Sequence, residues 1–259
     1  MPHTLNVYAL PAFADPQELA GGVAVVIDVL RATTTIAYAL EAGAREVIPC
    51  LEVDEARAMA DNLPKGEAVL GGERGGVAIP GFDLANSPEQ FTPQRVAGKT
   101  VIFTTTNGTA AMVHARRAAR ILAGAFVNVT AVAGQLAGCE QIHLICAGTR
   151  GRYGADDILL AGMLAERLRQ QGGIEYHENP QAVMARESWL ATFTSAQARG
   201  AEPLEPRHLA EALRNSAGGQ NLLALGLEKD ILAAAQIDRF ARVPELDPAT
   251  FRIRLCDRA

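Results

Sequence analysis

Cysteine is scarce and scattered: Cys50, Cys139, Cys146 and Cys256 are the four in 259 residues. None forms a Cys-x-x-Cys pair, which disfavours a zinc site or a disulfide framework and suits a reducing compartment. No run of Lys or Arg occurs and the net charge is −5, so capture of nucleic acid or an anionic membrane is not expected. No apolar stretch approaches membrane-spanning length, and residues 1–7 lack the basic-then-apolar pattern of a leader. The expectation is a cytoplasmic protein. The five histidines, His3, His114, His143, His177 and His208, are scattered and none falls in a polar turn, which gives a histidine triad or metal cluster little support. The G-x-x-x-x-G-K-[ST] spacing of a phosphate loop is also missing.

What is present is ordinary for a folded chain: 49% hydrophobic and 20% charged residues, with a mean hydropathy near zero. The length allows one large domain over residues 1–259, or two intimate lobes meeting near residues 180–205. A repeated grammar places a continuous apolar run before a polar turn and a helix-period stretch. It occurs at residues 23–27 before a helix at 33–41, at 45–49 before 53–63, at 101–103 before an Ala-rich helix, and at 142–146 before 156–171. Alternation of this kind predicts an α/β fold, layered α/β/α with a largely parallel sheet. The region after residue 180 reads as helical at 181–193, 206–214 and 221–235, with a linker at 194–205 and a closing strand at 251–255. Ligands in such sheets collect beyond the carboxyl ends of the strands, so the strand-to-helix turns are the places to search.

Four turns carry chemistry. In the first, Asp28 and Arg31 leave a buried strand just before Thr33, Thr34 and Thr35, combining a carboxylate for a metal with donors for an anion at a helix start. Capping alone would also account for Asp28 or Thr33. Haloacid-dehalogenase phosphatases likewise place an aspartate after a strand, but they require a second acid two residues on, where Leu30 stands. Asp28 is therefore expected as a metal ligand or an acid–base group. The second turn joins Gly71-Gly72-Glu73-Arg74-Gly75-Gly76 to Asp83, Asn86 and Ser87-Pro88; Ser87 reads as a structural N-cap. The third, Thr104-Thr105-Thr106-Asn107-Gly108-Thr109, offers neutral donors for an oxyanion, or simply a capped turn.

The fourth turn runs from Cys146 through Gly148, Arg150 and Arg152 to Asp156 and Asp157. Its C-x-x-x-x-x-R spacing matches the loop of cysteine-dependent phosphatases. Two adjacent carboxylates, however, repel a phosphate dianion unless a divalent cation lies between. Magnesium is commonly held by one or two carboxylates, waters and substrate oxygens, and Asp28, Glu73, Asp83, Asp156 and Asp157 could supply them. First-turn acids also favour a helix through its dipole alone.

In this order, V-V-I-D-V-L-R-A-T-T-T, G-E-R-G-G, G-F-D-x-x-N-S-P, T-T-N-G-T and C-A-G-T-x-G resemble the 2-phosphosulfolactate phosphatase family. The resemblance covers residues 25–157, with a weaker echo at 230–244. It implies an α/β fold, magnesium as cofactor, and hydrolysis of 2-phosphosulfolactate to sulfolactate and phosphate on a route to coenzyme M. Carried over residue by residue, the matching positions are Asp28, Arg31, Thr33, Glu73, Arg74, Asp83, Asn86, Thr105, Asn107, Gly108, Gly148 and Asp157; their chemistry, with acids for magnesium and water and arginines and turn amides for phosphate, makes Asp28, Arg31, Glu73 and Arg74 the expected catalytic set and Asp28, Asp83 and Asp157 the expected metal ligands. Thr33, Asn86, Thr105, Asn107, Gly108, Gly148 and Arg152 become the substrate-binding set. Ala110 stands where an arginine is expected, Tyr153-Gly154-Ala155-Asp156 replaces Phe-Ser-Leu-Glu, and Leu84-Ala85 replaces Phe-Gly. The expected partner is a small anionic phosphorylated substrate, and a homo-oligomer is left open. Two other readings stand beside this one: a metal-independent cysteinyl-phosphate route through Cys146 and Arg152, and a binding module that holds phosphorylated metabolites without turnover.

Overall fold

A computed structural model describes residues 3–256; Met1 and Pro2, on which part of the leader reading rests, lie outside them. The first half of the chain contains β1 (His3–Tyr8), β2 (Val23–Ile27), α1 (Ala32–Glu41), β3 (Glu46–Pro49), α2 (Val53–Asp61), β4 (Ala68–Arg74), β5 (Val77–Ala78), β6 (Leu84–Ala85), α3 (Pro93–Val96), β7 (Thr100–Thr104) and α4 (Gly108–His114). Then come β8 (Arg120–Gly124), α5 (Val129–Leu136), β9 (Gln141–Cys146), α6 (Ala155–Gln170), β10 (Tyr176–Glu178) and α7 (Pro180–Thr192). The chain closes with α8 (Ser195–Ala198), α9 (Pro206–Arg214), α10 (Ala217–Ala224), α11 (Glu228–Ala234), β11 (Pro244–Asp247) and β12 (Arg252–Leu255). Among the described residues no helix is long and apolar enough to cross a membrane.

The strands form one sheet in the order β10-β1-β9-β2-β8-β11-β12-β3-β7-β4-β5, with β6 beside β4. One parallel set is β10, β1, β9, β2 and β8. A second is β3, β7, β4 and β6. The hairpin β11-β12 splices them through antiparallel ladders on both sides. These three reversals leave the second set running against the first. Six steps of the strand order separate β2 from β4, and a twist of roughly 20–25° per step swings one set far round relative to the other. The carboxyl ends of both sets open on a single cleft.

Strand β2 shows why its sequence is apolar throughout. Side chains alternate between faces: Val23, Val25 and Ile27 enter one core with α5, α6, α7 and α9, whereas Ala24 and Val26 enter the other with α1 and α4. Strand β9 does the same, with Ile142, Leu144 and Cys146 on the first face and Ile145 on the second. The sheet is covered on both sides, as the α/β reading requires.

The helical stretch expected at 221–235 is two helices, α10 and α11, broken at Gly226 with φ +70°. The segment 194–205 is not a free linker: it contains α8, and the buried Trp189 indole N–H donates to the Ala198 carbonyl at 2.8 Å. The glycine-rich 71–74 stretch, which reads as loop, is the end of β4 and pairs with Phe103 and Thr104 of β7. Neighbouring ladders override the weak strand propensity of Gly and Glu there.

Candidate active site

The cleft is lined by loops from both strand sets and by one C-terminal helix: Asp28, Leu30 and Arg31 after β2, and Glu73, Gly75 and Gly76 at the end of β4. Thr106 and Asn107 follow β7, Thr149 and Arg150 follow β9, and Asn86, Gly218, Asn221 and Leu222 complete the wall. Of the residues singled out in the sequence, the structure brings Asp28, Arg31, Glu73, Asn86 and Asn107 together here.

Asp28 is 6% exposed, and its Oδ1 accepts from the Ala32 amide at 3.1 Å. Burial pushes its pKa up to about 7; the Ala32 hydrogen bond opposes this, the charges of Asp156 and Glu73 add to it, and Arg31 lowers it. Gly108, the first residue of α4, packs directly on this carboxyl. A Cβ at Gly108 would lie 2.7 Å from Asp28 Oδ2 and 2.5 Å from the Ala32 Cβ, so no side chain fits without moving the acid.

Two further acids crowd behind it from the start of α6. Asp156, 3% exposed, has its pKa raised to about 6 by burial, with hydrogen bonds from its own backbone, Ser216 and Leu30 pulling the other way. Its Oδ1 has no hydrogen-bond partner among the described residues. Asp157 is also raised well above the ordinary carboxylate value, by burial and by the charges of Asp156 and Asp28. Its oxygens are both occupied: Val29 N–H donates to Oδ1 and Gly148 N–H to Oδ2, each at 2.9 Å. Asp157 thus ties the turn after β2 to the turn after β9 and does not line the cleft, which removes it from the expected metal ligands.

Arg31 is 4% exposed. It donates to Asp230 Oδ2 at 2.6 Å and to the Gly76 carbonyl at 2.9 Å. Asp230 of α11 also accepts from the Ser87 hydroxyl, so Ser87 joins this network and gives no side-chain cap to the turn that follows it. Glu73 is held differently from Asp28. Its Oε1 accepts from Thr106 N–H at 2.7 Å, and its Oε2 from Gly76 N–H at 2.6 Å and the Thr106 hydroxyl at 3.1 Å.

Other expected site residues stand elsewhere. Arg74 turns away from the cleft, donating to the carbonyls of Glu73 and Leu51 and the Thr104 hydroxyl; it staples strand ends. Asp83 is exposed, and its Oδ2 accepts from the Leu70 amide at 2.8 Å, outside the cleft. The Thr33 hydroxyl donates to the Asp28 carbonyl and accepts from the Asp28 amide, and Thr105 Oγ accepts from Thr109 N–H; both cap their own turns. Gly148, with φ +65°, would place a Cβ 2.4 Å from the Arg152 carbonyl, so it shapes the turn after β9. Arg152 is exposed and points off the cleft, which Arg150 lines instead. Ala110 is exposed on α4 and takes no part in the lining.

Cys146 faces the core under the sheet with no exposed surface. Burial, with Asp157 and Asp156 adding, pushes its thiol well above the ordinary value. A thiolate nucleophile needs the opposite environment, and Cys146 is sealed in the core while Arg152 is exposed, so neither group supports the cysteinyl-phosphate reading.

The C-terminal contribution escaped the sequence reading. Ser216 Oγ accepts from Gly219 N–H at 2.9 Å and caps α10, which brings Gly218 and Asn221 to the cleft. The Ser-Ala-Gly-Gly start was the available signal, masked by reading 221–235 as one helix.

Among the described residues, no three His, Cys, Asp or Glu side chains form a ready-made cage for a metal. The donor set nonetheless fits a cation that asks little of the protein. Asp28 is a buried carboxylate on the cleft, and Asn86 adds a buried Oδ1 without a partner. Magnesium takes one or two such oxygens and keeps waters and substrate oxygens for the rest.

The family model described as 2-phosphosulpholactate phosphatase matches residues 8–248. A protein of Symbiobacterium thermophilum named "Probable 2-phosphosulfolactate phosphatase" is 40% identical over 229 residues, which is 88% of this chain and 92% of that protein. Deinococcus radiodurans has one of the same name, 40% identical over 229 residues, 87% of this chain and 88% of its own length. One from Parasynechococcus marenigrum is 37% identical over 239 residues, 91% of each chain.

Proposed function

This chain belongs to the 2-phosphosulpholactate phosphatase family, whose members are phosphoric monoester hydrolases, and from that premise we propose that it hydrolyses 2-phosphosulfolactate to sulfolactate and phosphate with magnesium. One observation carries the assignment to this cleft. Asp28, Asp156 and Asp157 are buried together at the ends of β2 and α6's first turn, each with a raised proton affinity. The nearest guanidinium, Arg31, is already paired with Asp230. Such an excess of buried acid either keeps protons or takes a cation.

Asp28 and the Asn86 carboxamide would hold magnesium, which when bound neutralises phosphate oxygens and lowers the pKa of water. The chain's own groups do the rest. Arg31, Asn107 and Asn221 orient the phosphate, and the start of α10 adds the partial positive charge of a helix N-terminus. Glu73 locks the Gly75-Gly76 turn against Thr106, so the floor of the site is fixed before substrate arrives. The water oxygen bonds to phosphorus, the ester P–O bond breaks, and the proton lost by water ends on the leaving alkoxide.

The test is phosphate release from a panel of phosphorylated hydroxy acids, with magnesium and with EDTA. Turnover of 2-phosphosulfolactate that stops in EDTA is expected, and Cys146→Ser should retain it. Turnover indifferent to EDTA would remove the metal from the account, and binding without turnover would leave only a phosphorylated-metabolite module.

A further inference from the structure

Arg150 occupies an expensive backbone position. Thr149 and Arg152 exchange two backbone hydrogen bonds, N–H to O at 2.7 and 3.1 Å, closing a two-residue turn. Its central residues, Arg150 and Gly151, have φ of +52° and +72°. That is the pattern of a type I′ turn, which favours Asn, Asp or Gly at the first central position. A long side chain held there is strained, and strain of this kind persists where the surroundings enforce it. The surroundings here do: Arg150 N–H donates to Asn107 Oδ1 at 3.2 Å, and the Gly148 amide of the same turn is gripped by Asp157.

The side chain has no internal reason to be there. Arg150 is exposed, lines the cleft and reaches toward Gly75, where its Nη2 would lie 3.9 Å from a Cβ. Unlike Arg31, which is bound to Asp230 and Gly76, it makes no ion pair or side-chain hydrogen bond among the described residues. Of the two guanidinium groups on the cleft wall, one is built in and one is left open.

We propose that Arg150 is the specificity-determining residue that reads a second anionic group, a carboxylate or sulfonate, on the carbon chain of the phosphate ester. The inference rests on the phosphatase reading above. Arg31 is fixed at the cleft wall for the phosphate, while the open fork of Arg150 matches a planar carboxylate or a sulfonate with paired N–H donors. The turn sets its Cα at a fixed height over the cleft, so the distance between the two anionic groups of a substrate is what is measured.

The experiment compares kcat/KM of wild type, Arg150→Ala and Arg150→Lys on three esters: ethyl phosphate, phospholactate and 2-phosphosulfolactate, with magnesium. Arg150→Ala is expected to lower kcat/KM about 10- to 100-fold, mainly through KM, on the two acid-bearing esters and to leave ethyl phosphate unchanged. Arg150→Lys, which keeps the charge without the fork, should restore part of the loss. A larger loss on 2-phosphosulfolactate than on phospholactate assigns the sulfonate; equal losses assign the shared carboxylate. Arg150→Gly should lose the same discrimination while raising Tm, because it relieves the left-handed strain. An equal effect of Arg150→Ala on all three esters, or none on any, would overturn the proposal. Wild type that turns over none of the esters would instead strike the phosphatase reading itself.

Discussion

The two sides of the cleft treat their carboxylates in opposite ways. On the side built from β4 and β7, Glu73 accepts three hydrogen bonds, two of them from backbone amides. Against it, at the end of β2 and the start of α6, three aspartates crowd together, and burial outweighs the hydrogen bonds they receive. The contrast separates framework from chemistry. A saturated carboxylate fixes loops, whereas an under-solvated one is left able to exchange a proton or hold a cation.

The sharpest way to break this comparison is to neutralise one acid on each side. Asp28→Asn should lower magnesium-supported kcat by about a thousandfold or more. Its Tm in chelator should not fall, because a buried charge is removed. Glu73→Gln should behave in the reverse sense. An amide cannot accept from both Gly76 N–H and Thr106 N–H in the same geometry, so a loss of about 2–3 kcal/mol in stability is expected by denaturant unfolding. Its activity loss should follow from displaced loops. A Glu73→Gln protein of unchanged stability would erase the distinction.

pH offers a gentler probe. Asp28 and Asp156 have folded-state pKa values raised to about 7 and about 6 from an ordinary 3.8. The native state therefore keeps protons that the unfolded chain has lost between about pH 4 and pH 7. These groups stabilise the fold at the acid end, and that contribution disappears as pH rises through this window. Tm measured in EDTA should fall from pH 5 to pH 8, and Asp28→Asn should flatten the slope. The smallest effect belongs to a residue outside the comparison: Cys146→Ser, which places a hydroxyl in the core under β9, should cost about 1–3 kcal/mol of stability and leave kcat unchanged.

How much of this was legible in the sequence differs between the same two regions. The turn after β2 was readable because a fully buried strand writes a continuous apolar run, and the polar residues that follow it stand out. Asp28 and Arg31 emerged in this way. The end of β4 was not, since Gly71 and Gly72 signal a loop while β7 holds them in the sheet. Residue-level orientation was beyond spacing. Asp156 and Asp157 are neighbours with the same composition, yet Asp157 is committed to the Val29 and Gly148 amides while one oxygen of Asp156 is free. Arg150 and Arg152 are separated by one glycine, and the turn at Thr149 sends only Arg150 to the cleft. The contribution of α10 and α11 required tertiary contact across nearly two hundred positions, the Arg31–Asp230 pair, which no local pattern encodes.

The central claim is that Asp28, the buried acid at the end of β2, performs the chemistry with a divalent cation. Phosphate release from 2-phosphosulfolactate, titrated with free magnesium for wild type and Asp28→Asn, tests it most directly. Saturable, magnesium-dependent turnover in wild type and its loss in a natively folded Asp28→Asn protein are the predicted result. Turnover by Asp28→Asn near the wild-type rate at saturating magnesium would contradict it.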